Sequence, residues 1–156
     1  MKLWVDGDAM PRAVKEVVFR AAERRELETS IVANQRLRIP EGSRFVRSIR
    51  VDGGLDVADD YIVEHAAPGD LAITADIPLA GRLVEKGVKA IDPRGQEYTA
   101  DTIGERLSIR DFMDELRSTG VETGGPKPYS ERDKRAFSDA FDRTLTRMLK
   151  STSQGS

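Results

Sequence analysis

The sequence predicts a three-layer α/β/α sandwich around a central, mainly parallel sheet. Short apolar, β-branched runs alternate with amphipathic stretches of helical spacing, the connections between them are short, and Gly or Pro marks most of the boundaries. Strands that alternate with helices on short connections pair in parallel and place helices on both sheet faces, because right-handed crossovers are nearly obligatory. A length of 156 residues suits one domain, here residues 1–150, with 151–156 expected as a disordered tail.

Residues 3–5 form a short apolar run that ends in Asp6-Gly7-Asp8, a buried first strand feeding a tight loop. Pro11 then opens a helix from Arg12 to about Arg25, in which Val14, Val17, Val18, Ala21 and Ala22 recur at three- and four-residue spacing. Residues 30–33 and 44–51 are strands by their β-branched content, separated by the loop at Pro40-Glu41-Gly42. Asp56 introduces a helix whose Val57, Tyr61, Ile62 and Ala66 share a face and which Pro68-Gly69 ends.

A strand at 71–74, a helix over 77–86 closed by Gly87 and a strand at 88–91 continue the alternation. A further helix is expected over 102–118 on the strength of Ile103, Leu107, Phe112, Met113 and Leu116. Residues 119–150 read as a loop through Gly124-Gly125-Pro126 followed by a C-terminal helix, capped by Ser130 and carrying Phe137, Phe141, Leu145 and Met148.

Composition narrows the chemistry. The chain has no cysteine, which removes disulfides, thiolate metal sites and cysteine nucleophiles and fits a reducing compartment. The first strand meets Asp6 after three apolar residues, unlike a signal-peptide core or a membrane span, so a cytoplasmic protein without a membrane partner is expected. The net charge of −2 argues against a general nucleic-acid coat, but its distribution is uneven. From Asn34 to Arg50 five arginines face one glutamate, whereas Val51 to Asp60 carries four aspartates and no base.

The aspartates carry the functional argument. Four segments place them at strand ends or helix starts: Asp6 and Asp8, then Asp56, Asp59 and Asp60, then Asp76, then Asp92. In a parallel sheet the strand ends open on one edge, so such groups converge. Clustered carboxylates suit Mg²⁺ or Mn²⁺, and ions held that way commonly act on phosphate esters. Asp6 and Asp8 flank Gly7, which lets the backbone approach a ligand, and Asp56, Asp59 and Asp60 share a helix face, where like charges repel unless a cation compensates. A single aspartate in a first helical turn needs no metal, since it satisfies free N–H groups and the positive dipole end. The expected metal ligands are Asp6, Asp8, Asp56, Asp59, Asp60 and Asp76.

Around that edge, Asn34, Gln35, Arg36, Arg38, Arg47 and Arg50 are expected to contact nucleic acid, because guanidinium forks suit phosphate oxygens. The alternative is an exposed strand edge kept soluble by charge. His65, the only histidine, sits near a helix end where a cation suits the dipole. Neither a Gly-x-Ser-x-Gly elbow nor a P-loop occurs.

The segments Trp4-Val5-Asp6-Gly7-Asp8-Ala9-Met10-Pro11, Asp56-Val57-Ala58-Asp59, Ile73-Thr74-Ala75-Asp76-Ile77-Pro78-Leu79-Ala80, Pro93-Arg94-Gly95 and Arg110-Asp111-Phe112-Met113 closely resemble the YaiI/YqxD family of bacterial proteins, over nearly the whole chain. That family is related to the PIN and NYN ribonuclease-like domains. The resemblance implies a PIN-like fold with acids after the first strand, at the start of a middle helix and after a later strand. It assigns those places to Asp6 and Asp8, to Asp56 and Asp59, and to Asp76. Met10 departs from the cysteine usual in the family.

The leading expectation is a Mg²⁺- or Mn²⁺-dependent nuclease, with RNA the favoured substrate, in which Asp6, Asp8, Asp59 and Asp76 are catalytic. The alternatives are a non-catalytic RNA- or nucleotide-binding module and a small-molecule phosphatase. The phosphatase lacks evident lysine and Ser/Thr partners at matching positions.

Overall fold

The computed structural model describes residues 1–123 and 127–154. Gly124-Gly125-Pro126 and the last two residues of the expected tail lie outside the described residues. Six strands, β1 (Leu3–Asp6), β2 (Thr29–Ala33), β3 (Val46–Arg50), β4 (Leu71–Ile73), β5 (Lys89–Ile91) and β6 (Glu97–Tyr98), form one sheet in the order β3-β2-β1-β4-β5-β6. Every neighbouring pair is parallel except β5 and β6. The helices are α1 (Arg12–Arg25), α2 (Val57–His65), α3 (Ile77–Glu85), α4 (Ala100–Ser118) and α5 (Glu131–Gln154).

The alternation along β1 builds the layers. Leu3 and Val5 face α1 and α5 in a core with Val14, Val18, Phe137, Phe141 and Leu145. Trp4 faces the other way, toward Ile62 of α2 and Leu79 and Leu83 of α3. Burying each of the larger apolar side chains contributes about 2–3 kcal/mol. The three-layer α/β/α sandwich stands as the sequence predicts. The 12-residue connection from β2 to β3 carries no helix; Leu37 and Ile39 pack it on the α1 face.

Three local features differ from expectation. β6 is a two-residue antiparallel strand, too short to show a period. α4 begins at Ala100, because Thr99 is the cap: its hydroxyl accepts the Thr102 amide while the Thr102 hydroxyl accepts the Thr99 amide. α5 continues to Gln154, four residues past the expected order–disorder boundary at Lys150. Its start is as expected, since Ser130 and Asp133 exchange hydrogen bonds as a capping pair.

Two glycines are dictated by contacts. A Cβ on Gly7 would lie 2.6 Å from Leu37 Cδ1 and 2.8 Å from Ile31 Cγ1, so the protein's own side chains already require a glycine there. Gly95, at φ +88°, brings the β5–β6 turn against α5, where a Cβ would lie 2.6 Å from the Ala136 carbonyl oxygen.

Candidate functional site

The strand order 3-2-1-4-5-6 reverses direction between β1 and β4, and ligand crevices in open α/β sheets form beyond the strand C-termini at that point. The aspartates meet there. Asp6 ends β1, Asp8 lies in the following turn, Asp56 and Asp59 open α2, and Asp76 opens α3; all five line one cavity of about 350 Å³ together with Ala9, Met10, Asn34, Gly54, Ala58 and Ala75.

Each of these side chains is held differently. Asp6 Oδ2 accepts the Thr74 hydroxyl at 2.8 Å. Thr74 is buried, and its Oγ1 also accepts the Asp76 amide at 3.0 Å, so one hydroxyl ties the ends of β1 and β4 together. Both Asp8 oxygens face the Asn34 amide, at 3.3 and 3.0 Å, which clips the first turn to the end of β2. Asp76 Oδ1 accepts the Leu79 amide at 2.9 Å and so caps α3, a role that an acid at a helix start fills without a metal.

Asp56 is the N-cap residue of α2 by position only. It makes no capping hydrogen bond and sits in the left-handed region at φ 63°. Ala9, also in the cavity wall, has φ 62°. Among the described residues Glu26 is the only other non-glycine residue with positive φ, so this backbone cost concentrates at the cavity, as it commonly does at functional sites.

Burial and, after it, crowding of like charge show in the titration of two groups. Asp6 is pushed up to about 6, first by burial and then by Asp59, Asp76 and Asp8, against the lowering effect of the Thr74 hydrogen bond. Asp59 is likewise pushed up to about 6 by burial and by Asp76, Asp56 and Asp60, with Arg82 opposing. Carboxyls of that kind can exchange a proton near neutral pH.

Two expected members are elsewhere. Asp60 turns away from the cavity and pairs with Arg82 at 2.8 Å, because a step of four from Asp56 points to α3 where a step of three reaches the pocket. Asp92 is buried and accepts the Arg94 and Gln96 amides and Arg106 Nη2, each at 2.9 Å; it anchors the β5–β6 turn.

The basic segment also divides. Asn34 lines the cavity, whereas Gln35 and Arg36 are exposed on the loop beyond it. Arg38 lines a separate cavity. Arg47 Nε donates to Ser30 Oγ at 3.0 Å and so braces β3 on β2, while Arg50 is exposed at the C-terminal end of β3.

Thr74 and Tyr98 are the residues that sequence reasoning missed. Tyr98 OH donates to the Thr74 carbonyl at 3.0 Å, and Arg106 lies over the Tyr98 ring at 4.3 Å. A threonine directly after an apolar strand and two residues before an aspartate was the available signal for the first; nothing local marks the second.

Among the described residues no three Asp, Glu, His or Cys side chains converge closely enough to ligate one ion directly. The charged donors are nonetheless all carboxylate oxygens, which fits an ion that takes one or two carboxylates and fills its shell with water, as Mg²⁺ does. The one soft donor in the lining is the Met10 thioether, which alone makes no soft-metal site.

A switch-point crevice lined by carboxylates defines the molecule as a doubly wound α/β protein with an acidic pocket; the fold by itself assigns no activity. The chain belongs to the uncharacterised YaiI/YqxD family, whose model matches residues 4–147. It is 55% identical over 145 residues to the UPF0178 protein Bpet3884 of Bordetella petrii, which covers 93% of this chain and 96% of that one. It is 51% identical over 150 residues to a UPF0178 protein of Shewanella amazonensis, covering 96% of this chain and 100% of the relative. No solved structure matches the chain. No helix among the described residues is long and apolar enough to cross a membrane.

Proposed function

We propose that this protein is a Mg²⁺- or Mn²⁺-dependent nuclease that hydrolyses phosphodiester bonds, with RNA as the favoured substrate. The observation that carries the reading is the meeting of Asp6, Asp8, Asp56, Asp59 and Asp76, from three separate chain segments, in one cavity at the sheet's switch point. The likeness expected between this family and PIN-like ribonuclease domains in the placing of the acids points the same way. One or two of Asp6, Asp8, Asp59 and Asp76 would hold the ion directly and the others through its bound waters, with Asp56 beside them. When bound, such an ion orients a water and stabilises charge on the phosphoryl group.

The chain's own residues supply the remainder. Thr74 fixes Asp6 while leaving its other oxygen for the ion or a water. Asp6 and Asp59, pushed up to about 6 without an ion, would give up their protons as one binds, since a nearby cation favours the carboxylate. Asp76 is fixed through its N-cap bond, so its position is set before any ligand arrives. Preorganisation of this kind avoids reorganisation at the moment of reaction.

The test is cleavage of labelled RNA and DNA by the pure protein with Mg²⁺, Mn²⁺ or chelator. Metal-dependent cleavage that Asp6→Asn and Asp76→Asn each reduce at least about 100-fold is expected. Absence of metal-dependent turnover on every substrate would sink the nuclease reading and leave the nucleic-acid-binding one.

A further inference from the structure

We infer that the cavity between α1 and the β2–β3 connection is a subsite for a backbone phosphate of single-stranded nucleic acid, next to the phosphate held at the aspartate pocket. The inference rests on the nucleic-acid reading above and extends it to residues outside the acidic site. The cavity, of about 410 Å³, is lined by Arg12, Lys15, Glu16 and Phe19 of α1 and by Arg38, Ile39 and Pro40. That volume is within the range of roughly 300–1,000 Å³ typical of small-ligand sites.

Its charge is unbalanced. Three cations face one carboxylate, and the side chains of Arg12, Lys15 and Arg38 make no hydrogen bond or ion pair among the described residues. α1 compounds the imbalance. It begins without a capping side chain, with no acid in its first turn, and with Arg12 and Lys15 at the end where the helix dipole is already positive. Folding alone disfavours that arrangement, and a bound anion relieves it.

Position selects the anion. The cavity and the acidic pocket are bounded by the same two chain segments: Asp8, Ala9, Met10 and Asn34 line one, and Arg12, Lys15 and Arg38 line the other. Only Pro11 separates Met10 from Arg12, so their Cα atoms lie within about 7 Å. A ligand with phosphates in series can therefore occupy both, with the sugar or base against Ile39 and Pro40.

The probe is a fluorescein-labelled oligouridine in chelator, followed by fluorescence anisotropy across a salt series. In the triple variant Arg12→Gln, Lys15→Gln, Arg38→Gln, binding is expected to weaken at least tenfold and the slope of log affinity against log salt to become shallower by up to about 2, at roughly 0.7 for each single-strand phosphate contact. Arg143→Gln, an exposed cation on α5, should change affinity less than twofold. An unchanged thermal shift of the triple variant by Mn²⁺ shows that fold and acidic pocket persist. Equal affinity and slope in wild type and triple variant overturn the subsite even where cleavage is observed. Binding through the three cations without any cleavage leaves the subsite standing and removes the nuclease reading. Tighter binding of a polyglutamate peptide than of oligouridine makes the cavity a protein-docking surface and overturns the proposal.

Discussion

The buried hydroxyl of Thr74 donates to Asp6 at 2.8 Å, and this one bond sets the acid that ends β1 against the end of β4. The same oxygen accepts the Asp76 amide, so two of the cavity's aspartates depend on a residue that contributes no charge.

Thr74→Val should therefore cost about 1–3 kcal/mol in urea denaturation, because it leaves the Asp76 amide without its acceptor. Thr74→Ser should recover most of that loss. Since the hydrogen bond lowers the Asp6 pKa, the Val variant should also raise it above about 6, measurable by NMR titration of the carboxyl carbon in chelator. An unchanged Asp6 titration would mean that the Thr74 contact does not persist in solution.

Asp6 also gives metal-free stability a pH dependence of known sign. Its folded pKa of about 6 lies above its ordinary value of 3.8, so between those values the folded state binds more protons than the unfolded one. Its contribution is complete below about pH 4 and lost as pH rises through about 6. At about 1.4 kcal/mol for each pH unit between the two values, the effect is at most about 3 kcal/mol. In chelator, Asp6→Asn should gain on the wild type in melting temperature between pH 4 and 7. A constant difference across that range would contradict the shift.

Asp59 and Asp60 are adjacent in sequence and should behave oppositely toward divalent ions. Asp59 lines the cavity, whereas Asp60 pairs with Arg82 at the surface. Asp59→Asn should remove most of any Mn²⁺-induced rise in melting temperature. Asp60→Asn should preserve the rise and cost under about 1 kcal/mol, as exposed ion pairs generally do. Differential scanning calorimetry with and without Mn²⁺ decides it.

Gly7→Ala should destabilise by about 1–3 kcal/mol, since its methyl group meets Leu37 and Ile31. The double variant Gly7→Ala, Leu37→Ala should recover part of the loss. If the two costs simply add in denaturant titrations, the clash is not the cause.

Much of this arrangement was legible in the chain. The periods of α1 and α5, the apolar runs of β1 and β2 and the glycine closing α3 are local signals, and they placed the elements within a few residues. The aspartate cluster was legible because strand ends in a parallel sheet share an edge. What escaped depends on partners far away in sequence. Asp92 resembles the other strand-end acids until Arg106 of α4 is seen to hold it. Asp60 differs from Asp59 only in facing Arg82. Tyr98 reaches Thr74 from a strand of two residues, below the length at which alternation can be read.

No residue of α4 is fully buried, and Ile109 and Phe112 are more than half exposed. Segments with few buried apolar side chains are drawn from the low end of local stability. Yet α4 carries Arg106, which lies on Tyr98, which holds the Thr74 carbonyl, whose side chain holds Asp6. The firmness of the acidic pocket is thus tethered to a helix with no fully buried residue, so any loosening of α4 would slacken an aspartate that it never touches.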